Sequence, residues 1–538
     1  MLGWSFLFGP KGPPPGSEGK GQPAVAGGPG TPGAQPGAAA AGGPAASTPA
    51  VVPAAPNASE ELVTLETAQF QATLSSWGGA LRGFMLKNPK FQRKGEDGKS
   101  WQAIDLVSVT VGEGYPLALA VAPGQGAVDP VKSADLRGPM RVAEKGPDHV
   151  TFEGEVGPFL VSKRFSIGSR PYELTLDVTA RPKAGSSVEG RSLVLAMTGY
   201  LPPETPKPGF LSGGQAGETL VPACRAGDKT VRGNDKEAVQ VPQGAASWVG
   251  MDRRYFVSAV MGPSREGECV LVKGETPGTW LAGLKLAAGS LESSKRFTFY
   301  SGPKQLDSLQ AYGRDLESAI DYGTVTNFFA FFARALLWVM RWFEKVVRNW
   351  GFAIILLTFL VKLVLYPLTH KSMQSMQEMR ALQPEVEKLK AKFGEDKEKM
   401  NVAVMDLYKK HGVNPLGGCL PMLLQMPIWL ALYATLQTSV ELYREPFFWI
   451  RDLTAMDPYY ILPVAMGVSS FVTQKLSPQP ADNAQAKMML YMMPIFFTFI
   501  MFKLPAGLTL YILVNNLLSI VQQQIAMRRT KAPVPAKA

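Results

Sequence analysis

The chain has 538 residues, of which 46% are hydrophobic and 18% are charged, and its mean hydropathy is +0.01. Its three cysteines are too few for a disulfide scaffold, and its three histidines lie away from any cluster of cysteines and carboxylates, so we expect no metal site and no cofactor. The formal net charge of +11 suits a nucleic-acid-binding protein or a membrane protein with basic cytoplasmic loops. Because the basic residues border apolar runs, we expect no specific nucleic-acid site.

The N-terminal region divides into two short parts. Residues 1–8, MLGWSFLF, are apolar but too few to cross a bilayer, and we interpret them as the remnant of an N-terminal transmembrane helix. Residues 9–56 consist mostly of Pro, Gly, Ala and Ser. Such a segment buries too little apolar surface to fold, so we predict a disordered linker.

Residues 57–303 alternate apolar and polar side chains. In YELTLDVTA, Tyr172, Leu174, Leu176, Val178 and Ala180 share one face, and Glu173 lies on the other. Short runs of this kind, separated by Gly and Pro, predict a large antiparallel β-sandwich domain. If this region is extracytoplasmic, Cys224 and Cys269 can form a disulfide, although two free buried thiols remain an alternative.

Residues 304–348 form a linker and an aromatic-rich helix. The helical period places an apolar stripe on one face, with basic residues elsewhere; its members are Phe328, Phe331, Phe332, Ala335, Leu336, Val339 and Phe343. This pattern predicts an amphipathic helix that lies flat at the membrane interface. The alternative is a core helix of the β domain.

Five apolar runs follow and predict five core transmembrane helices within residues 349–527. Residues 371–411, between the first and second runs, contain two short amphipathic arms that predict a helical hairpin or a passive connector. This segment and the tail, residues 528–538, are rich in Lys and Arg, so both are expected in the cytoplasm. The β domain is then on the outer side. The five runs are residues 349–369, 412–440, 458–474, 488–502 and 504–527.

Lys362 interrupts the first apolar run, LLTFLVKLVLYPLTH. It is thirteen residues into the run, so its Cα lies about 20 Å down a hydrocarbon core about 30 Å thick. A charge there costs roughly 2.5–3.5 kcal/mol, and the five runs contain no Asp or Glu to pair with it. The side chain could snorkel to the headgroups. If it does not, the ammonium group requires water around it inside the membrane.

Further polar side chains occur in the same runs. Thr358 lies one turn before Lys362, Gln425 interrupts the second run, and Asn515 and Ser519 share a face of the last. Each alone suits a helix–helix hydrogen bond. Together with the lysine they suggest a water-filled groove open to the cytoplasm.

Several long motifs resemble the YidC/Oxa family of membrane protein insertases, Gram-negative YidC type. They are NWGFAIILLTFLVKLVLYPLTH, NPLGGCLPMLLQMPIWLALY, DPYYILPVAMGV, LPAGLTLYILVNNLLSIVQQQ and, in the β region, SWVGMDRRYFVSAVM. The resemblance implies a multi-pass protein of the bacterial inner membrane with a periplasmic β domain and a cytoplasmic C-terminus. It also implies that a first transmembrane helix precedes LGWSFLF.

The resemblance further implies that the protein is not an enzyme and inserts membrane proteins, alone or with the Sec translocon. Its implied partners are nascent membrane proteins, the ribosome, the Sec translocon and the lipid bilayer. The family's cationic groove position, usually arginine, is Lys362 in this chain. The substrate-groove residues are Lys362, Thr358, Gln425, Met426, Tyr511, Asn515 and Ser519.

Two other classes of function are compatible with parts of the pattern. An ion- or solute-coupled transporter also requires a buried charge, but it should show inverted repeats or intramembrane acids, and neither occurs in the apolar runs. A membrane-tethered carbohydrate-processing enzyme would use a cleft in the β domain. The predicted fold class is a membrane α-helical bundle with a cytoplasmic hairpin, plus a large extracytoplasmic antiparallel β-sandwich.

Overall fold

A computed structural model describes residues 59–94, 100–109, 114–123, 134–202, 219–234, 236–274, 276–321, 330–394, 396–413, 420–476 and 484–529. Residues 1–8, the predicted disordered linker (residues 9–56) and the tail from residue 530 onward lie outside the described residues, and so do the predictions made for them.

The first part of the described chain is built of strands, as the alternating pattern predicts. All their recorded pairings are antiparallel. The strands are β1 (Leu62–Glu66), β2 (Phe70–Ser75), β3 (Ala80–Leu86), β4 (Gln92–Lys94), β5 (Trp101–Ala103), β6 (Ala118–Pro123), β7 (Met140–Lys145), β8 (His149–Val156), β9 (Phe159–Ile167), β10 (Glu173–Pro182), β11 (Arg191–Tyr200), β12 (Leu220–Ala226), β13 (Lys229–Arg232), β14 (Val239–Gln240), β15 (Ala246–Arg253), β16 (Phe256–Met261), β17 (Glu268–Lys273), β18 (Thr279–Ala287) and β19 (Lys295–Pro303).

Two sheets form a sandwich. Within the described ranges, the larger sheet has the strand order β13-β12-β15-β16-β19-β10-β9-β8-β7, and the smaller has the order β14-β17-β18-β11-β6. Side chains of both sheets meet in one buried apolar core, together with those of the sheet β1-β2-β3. Burial of these faces is the main force that holds the sheets together. The prediction of an antiparallel β-sandwich is confirmed.

Strand β10 tests the alternation in YELTLDVTA. Leu174, Leu176 and Val178 are buried, as predicted, between partly exposed neighbours. The prediction is wrong at one position, because Glu173, predicted to face outward, is buried. Tyr172 lies before the strand with a left-handed backbone (φ 63°) and is partly buried against the core, on the predicted side. The strict alternation of buried and partly exposed residues therefore begins at Leu174.

A disulfide joins the two sheets. Cys224 lies in β12 of the larger sheet and Cys269 in β17 of the smaller, and the two residues are bonded to each other and fully buried. Of the two alternatives that the sequence leaves open, the structure shows the bridge.

One buried ammonium group also stabilises the sandwich. Lys163 on β9 is completely buried and donates hydrogen bonds to three backbone carbonyl oxygens, those of Gly78 (3.0 Å), Gly79 and Leu117 (2.5 Å). These carbonyls belong to the segments that precede β3 and β6. The lysine therefore satisfies three acceptors that water does not reach.

The second part of the described chain is helical. Helix α1 (Leu306–Tyr312) follows the last strand. The others are α2 (Ala330–Val347), α3 (Trp350–Ala381), α4 (Gln383–Phe393), α5 (Lys397–Lys410), α6 (Leu420–Thr438), α7 (Ile461–Leu476), α8 (Ala484–Met501) and α9 (Ala506–Arg529). A helix thus forms at each of the five predicted apolar runs.

Within the described residues, one helix is long and apolar enough to cross a membrane by length and composition, over Trp350–Met379. Two shorter apolar helices are Ile461–Leu476 and Tyr491–Met501. The helices pack through a shared apolar cluster that includes Leu357, Leu432, Met466 and Leu508. This cluster is distinct from the core of the sandwich.

Helix α2 packs through a face that only partly overlaps the predicted stripe. Ala333, Leu337 and Met340 are buried, and Leu336, Val339 and Phe343 of the stripe are partly buried beside them, whereas Phe331 and Phe332 are exposed. The buried face packs on α3 and α6, so α2 belongs to the helical part of the chain and not to the core of the β domain. The small Ala333 allows close approach of the neighbouring helix, which the aromatic residues would prevent. Phe328 lies outside the described residues.

The predicted hairpin is present as α4 and α5, which pack against each other. Pro384 occupies the first turn of α4, where its missing N–H costs no hydrogen bond. Asp396 caps α5 by accepting a hydrogen bond from the Lys399 N–H (3.1 Å). Leu382 and Val386, apolar residues four apart at the start of the first arm, are buried.

The sandwich contacts the helical part through the end of α6. The Arg254 guanidinium donates to the Gln437 backbone carbonyl (3.2 Å), and the Lys90 ammonium donates to the Glu441 carbonyl (2.8 Å). The hydroxyl of Tyr443 donates to the Gln92 carbonyl (3.1 Å). The first two bonds satisfy carbonyls at and beyond the C-terminus of α6, the third satisfies a carbonyl of β4, and all three hold the β domain against this end of the helices.

Candidate functional site

Lys362 lies on the side of α3 that faces α9. Its side chain is 8% exposed, and its Nζ donates a hydrogen bond to Ser519 Oγ at 2.7 Å. Ser519 in turn donates to the backbone carbonyl of Asn515, one turn earlier in α9 (2.8 Å). Among the described residues, no carboxylate forms a recorded ion pair with Lys362. Since an ammonium has three N–H donors, two remain for water or an anion.

A second polar contact joins α6 to the same helix. The Gln425 side-chain amide donates to Asn515 Oδ1. Lys362 and Gln425 therefore approach α9 from two helices and meet residues four apart on it, Ser519 and Asn515. Residues at this spacing lie on one helix face, which is why the two contacts are adjacent.

A third contact joins α7 to α9. Asn516 Nδ2 donates to Ser470 Oγ (2.8 Å) and to Ser469 Oγ (3.2 Å). We call the residues of these three contacts the α9 polar cluster: Lys362, Gln425, Ser469, Ser470, Asn515, Asn516 and Ser519. Polar contacts between helices average about 0.6 kcal/mol each in membranes, so the cluster orients the helices more than it stabilises them.

The other predicted groove residues have different positions. Thr358 is fully buried and donates to the Ile354 carbonyl of its own helix (2.7 Å), so its hydroxyl is already satisfied within α3. Tyr511 is buried in the apolar helical cluster. Met426, beside Gln425, is exposed. Hydrogen bonds therefore join Lys362, Gln425, Asn515 and Ser519. Thr358, Tyr511 and Met426 lie around these four residues.

Asn516, Ser469 and Ser470 were missed by the sequence interpretation. The sequence signal that could have identified them is a pair of adjacent polar residues inside an apolar run. The pairs are Asn515-Asn516 in residues 504–527 and Ser469-Ser470 in residues 458–474. A single helical face contains only one member of each pair, so a face-based search selects Asn515 and omits its neighbour.

The surface next to Lys362 is apolar. Phe359, Leu363 and Val364 on α3 are exposed, as are Leu517 and Val521 on α9. A cationic, hydrogen-bonding cluster thus lies beside exposed apolar side chains of two helices. The arrangement provides an anion-attracting site next to an apolar surface. Within the described residues, no group of three His, Cys, Asp or Glu side chains could hold a metal ion.

Comparisons with known proteins match both parts of the chain. Residues 62–339 match the family described as the YidC periplasmic domain, and residues 342–533 match the family described as the 60Kd inner membrane protein. A membrane protein insertase YidC from Anaeromyxobacter dehalogenans is 56% identical over 483 residues, which are 89% of this chain and 87% of that protein.

Matches of lower identity cover a similar share of the chain. A membrane protein insertase YidC from Geotalea daltonii is 36% identical over 491 residues, 88% of each protein. A crystal structure of an active YidC insertase with its first transmembrane domain resolved aligns with 89% of this chain and 94% of its own, at 20% identity and a TM-score of 0.38. The matches to the two families and to the first two relatives together span the sandwich and the helices. This chain therefore belongs to the YidC family of inner membrane proteins.

Proposed function

We propose that this protein is a membrane protein insertase, which integrates inner-membrane proteins and helps them fold, alone or with the Sec translocon. The proposal is supported by relatives of 56% and 36% identity that are named insertases and that align with the sandwich and the helices alike. The transporter interpretation is not supported by this family, and neither is a carbohydrate-processing enzyme.

The observation that carries the proposal is the α9 polar cluster. Lys362 is buried among apolar helices, yet its hydrogen-bond partner in the described chain is the neutral hydroxyl of Ser519. No acid in the apolar runs therefore neutralises the charge of the Lys362 ammonium, and water does not surround it fully. Such a site attracts an anion from outside the chain, and acidic residues of a client protein supply one.

The mechanism follows from the neighbouring surfaces and needs no covalent step. The acidic or polar tail of a client enters the groove beside Lys362, where Gln425 and Asn515 offer further hydrogen bonds. The apolar helix of the client passes along the exposed side chains of α3 and α9, and its transfer into lipid provides the driving force. Met426 lines this groove, and the buried side chains of Thr358 and Tyr511 support its walls from behind.

We also propose the topology. The five predicted spans cross the inner membrane, the β domain (residues 57–303) lies in the periplasm, and the hairpin (residues 371–411) and the tail (residues 528–538) lie in the cytoplasm. The basic composition of these last two segments supports this orientation. The buried disulfide supports an oxidising compartment for the sandwich. The hairpin is then available to the ribosome, and the lateral surface of the helices to the Sec translocon.

The test is insertion of a single-span client into liposomes that contain the purified protein. Clients carry a short outward-bound tail that is either acidic or neutral, and the variants are Lys362→Ala and Lys362→Arg. A charge pair at about 4 Å gains about 4 kcal/mol at an effective dielectric constant of about 20, and desolvation cancels much of this gain. We therefore expect Lys362→Ala to slow insertion of the acidic-tailed client about tenfold, and Lys362→Arg to retain the rate.

Lys475→Ala is the matched control, because Lys475 is an exposed lysine in the last turn of α7. It should insert both clients at the normal rate. Equal insertion of the acidic-tailed client by the wild type and by Lys362→Ala would contradict the role of the ammonium. Failure of the wild type to insert any client would contradict the insertase function itself.

A further inference from the structure

The segment between α6 and α7 contains a tight turn with aromatic residues at its tip. Phe447 and Ile450 exchange backbone hydrogen bonds (2.8 and 2.9 Å), which leaves Phe448 and Trp449 as the two residues of the turn. Phe447 and Ile450 are buried in the apolar helical cluster. Phe448 is 75% exposed, and Trp449 is also exposed. The turn is thus anchored at its base and apolar at its tip.

The turn is held in place by one carboxylate. Asp457 accepts hydrogen bonds from the Trp449 indole N–H (3.1 Å) and from the backbone N–H groups of Tyr459 (3.1 Å) and Leu462 (2.7 Å). The exposed rings of Trp449, Tyr459 and Tyr460 therefore belong to one rigid unit. We call Phe448, Trp449, Tyr459 and Tyr460 the aromatic tip.

Two members of the aromatic tip have a left-handed backbone, Phe448 with φ 51° and Tyr460 with φ 58°. This conformation costs free energy in a residue with a bulky side chain, and glycine would adopt it without strain. Each ring packs against a neighbouring ring, Phe448 on Phe447 and Tyr460 on Phe502, yet much of its surface stays exposed. Residues that keep a strained backbone while leaving large rings exposed indicate that those rings bind something outside the described chain.

The position of the aromatic tip identifies what it binds. The ring of Phe352, in the first turn of α3, is 5.3 Å from the ring of Phe447 and 6.1 Å from that of Phe448, centroid to centroid. The membrane-spanning stretch of α3 begins at Trp350, so the tip lies at the end of that span. It is also the end that the β domain contacts, since Lys90 pairs with Glu445, three residues before Phe448.

The charges around the tip suit a lipid headgroup. Arg348, Arg451 and Lys503 are exposed. Each is close in the chain to the aromatic rings at this end, Lys503 next to Phe502, whose ring packs on Tyr460 (5.1 Å). The nearby Asp457 is buried and occupied by the hydrogen bonds described above. Aromatic rings flanked by exposed cations are the composition found at the boundary between lipid headgroups and acyl chains.

We propose that the aromatic tip inserts into the headgroup region of the outer leaflet, with Arg348, Arg451 and Lys503 directed at lipid phosphates. The tip fixes the depth of α3, and hence of Lys362, relative to the outer surface of the membrane. It also holds the docking site of the β domain at that surface. This inference requires that α3 spans the membrane but does not require insertase activity.

The test uses the full-length protein in vesicles of phosphatidylethanolamine and phosphatidylglycerol. An environment-sensitive fluorophore is attached to Phe448→Cys in a Cys419→Ser background, where the remaining cysteines are bonded to each other. Lipids with a nitroxide near the headgroup or deep in the acyl chain report its depth. The same label on Leu160→Cys is the control, because Leu160 is an exposed apolar residue on β9 of the sandwich.

We expect the shallow nitroxide to remove most of the emission at Phe448→Cys, the deep nitroxide to remove less, and neither to affect Leu160→Cys. Tyr459→Cys gives the same measurement on a second ring if the first variant folds poorly. A label at both tip positions that neither nitroxide quenches would overturn the proposal, because the tip would then lie in water. Protection that requires addition of a partner protein would overturn it as well.

Discussion

The disulfide between Cys224 and Cys269 allows the energetics of the sandwich to be tested directly. The bridge joins two sheets across 45 residues of chain, and both cysteines are fully buried. Closing a loop of this length in the unfolded chain removes entropy worth about 4 kcal/mol at room temperature. The double variant Cys224→Ala/Cys269→Ala should therefore lose about 4 kcal/mol of unfolding free energy, a large share of the 5–15 kcal/mol typical of a domain.

The assay is urea unfolding of the full-length protein in detergent, followed by protease digestion of the sandwich at each urea concentration. The midpoint should fall, and the loss should be reproduced in the wild type by reduction with a thiol. Cys419→Ala is the control, since it removes the one cysteine outside the bridge and should leave the midpoint unchanged. A change below about 1 kcal/mol in the double variant would refute the loop-entropy argument.

Two further substitutions test packing in the two parts of the chain. Lys163→Met leaves three buried carbonyl oxygens without their donor and should destabilise the sandwich by about 3 kcal/mol in the same urea assay; an unchanged midpoint would show that water replaces the ammonium. Gly351→Ala places a Cβ about 2.0 Å from the ring of Phe447, so the ring must move. We expect a loss of about 1–3 kcal/mol and a lower thermal unfolding midpoint in detergent, whereas an unaltered midpoint would mean that the ring moves without cost.

The sequence by itself determined the type of each element. The alternation in YELTLDVTA produces β10, because a period of two can bury one face of a strand only. The five apolar runs produce helices, and the lysine among them is conspicuous because a charge is costly in lipid. Even the start of the hairpin at Pro384 follows from a local rule.

Only the tertiary structure decided which side chains meet. Lys362 and Ser519 are 157 residues apart, and their contact depends on how α3 and α9 are rotated about their axes. The same rotation decides that α2 buries Ala333 and exposes Phe331. The partner of Cys224 depends likewise on how two sheets stack. Spacing along one element gives the faces of that element, but the pairing of faces is set by the packing of all the elements together, which no single stretch of sequence contains.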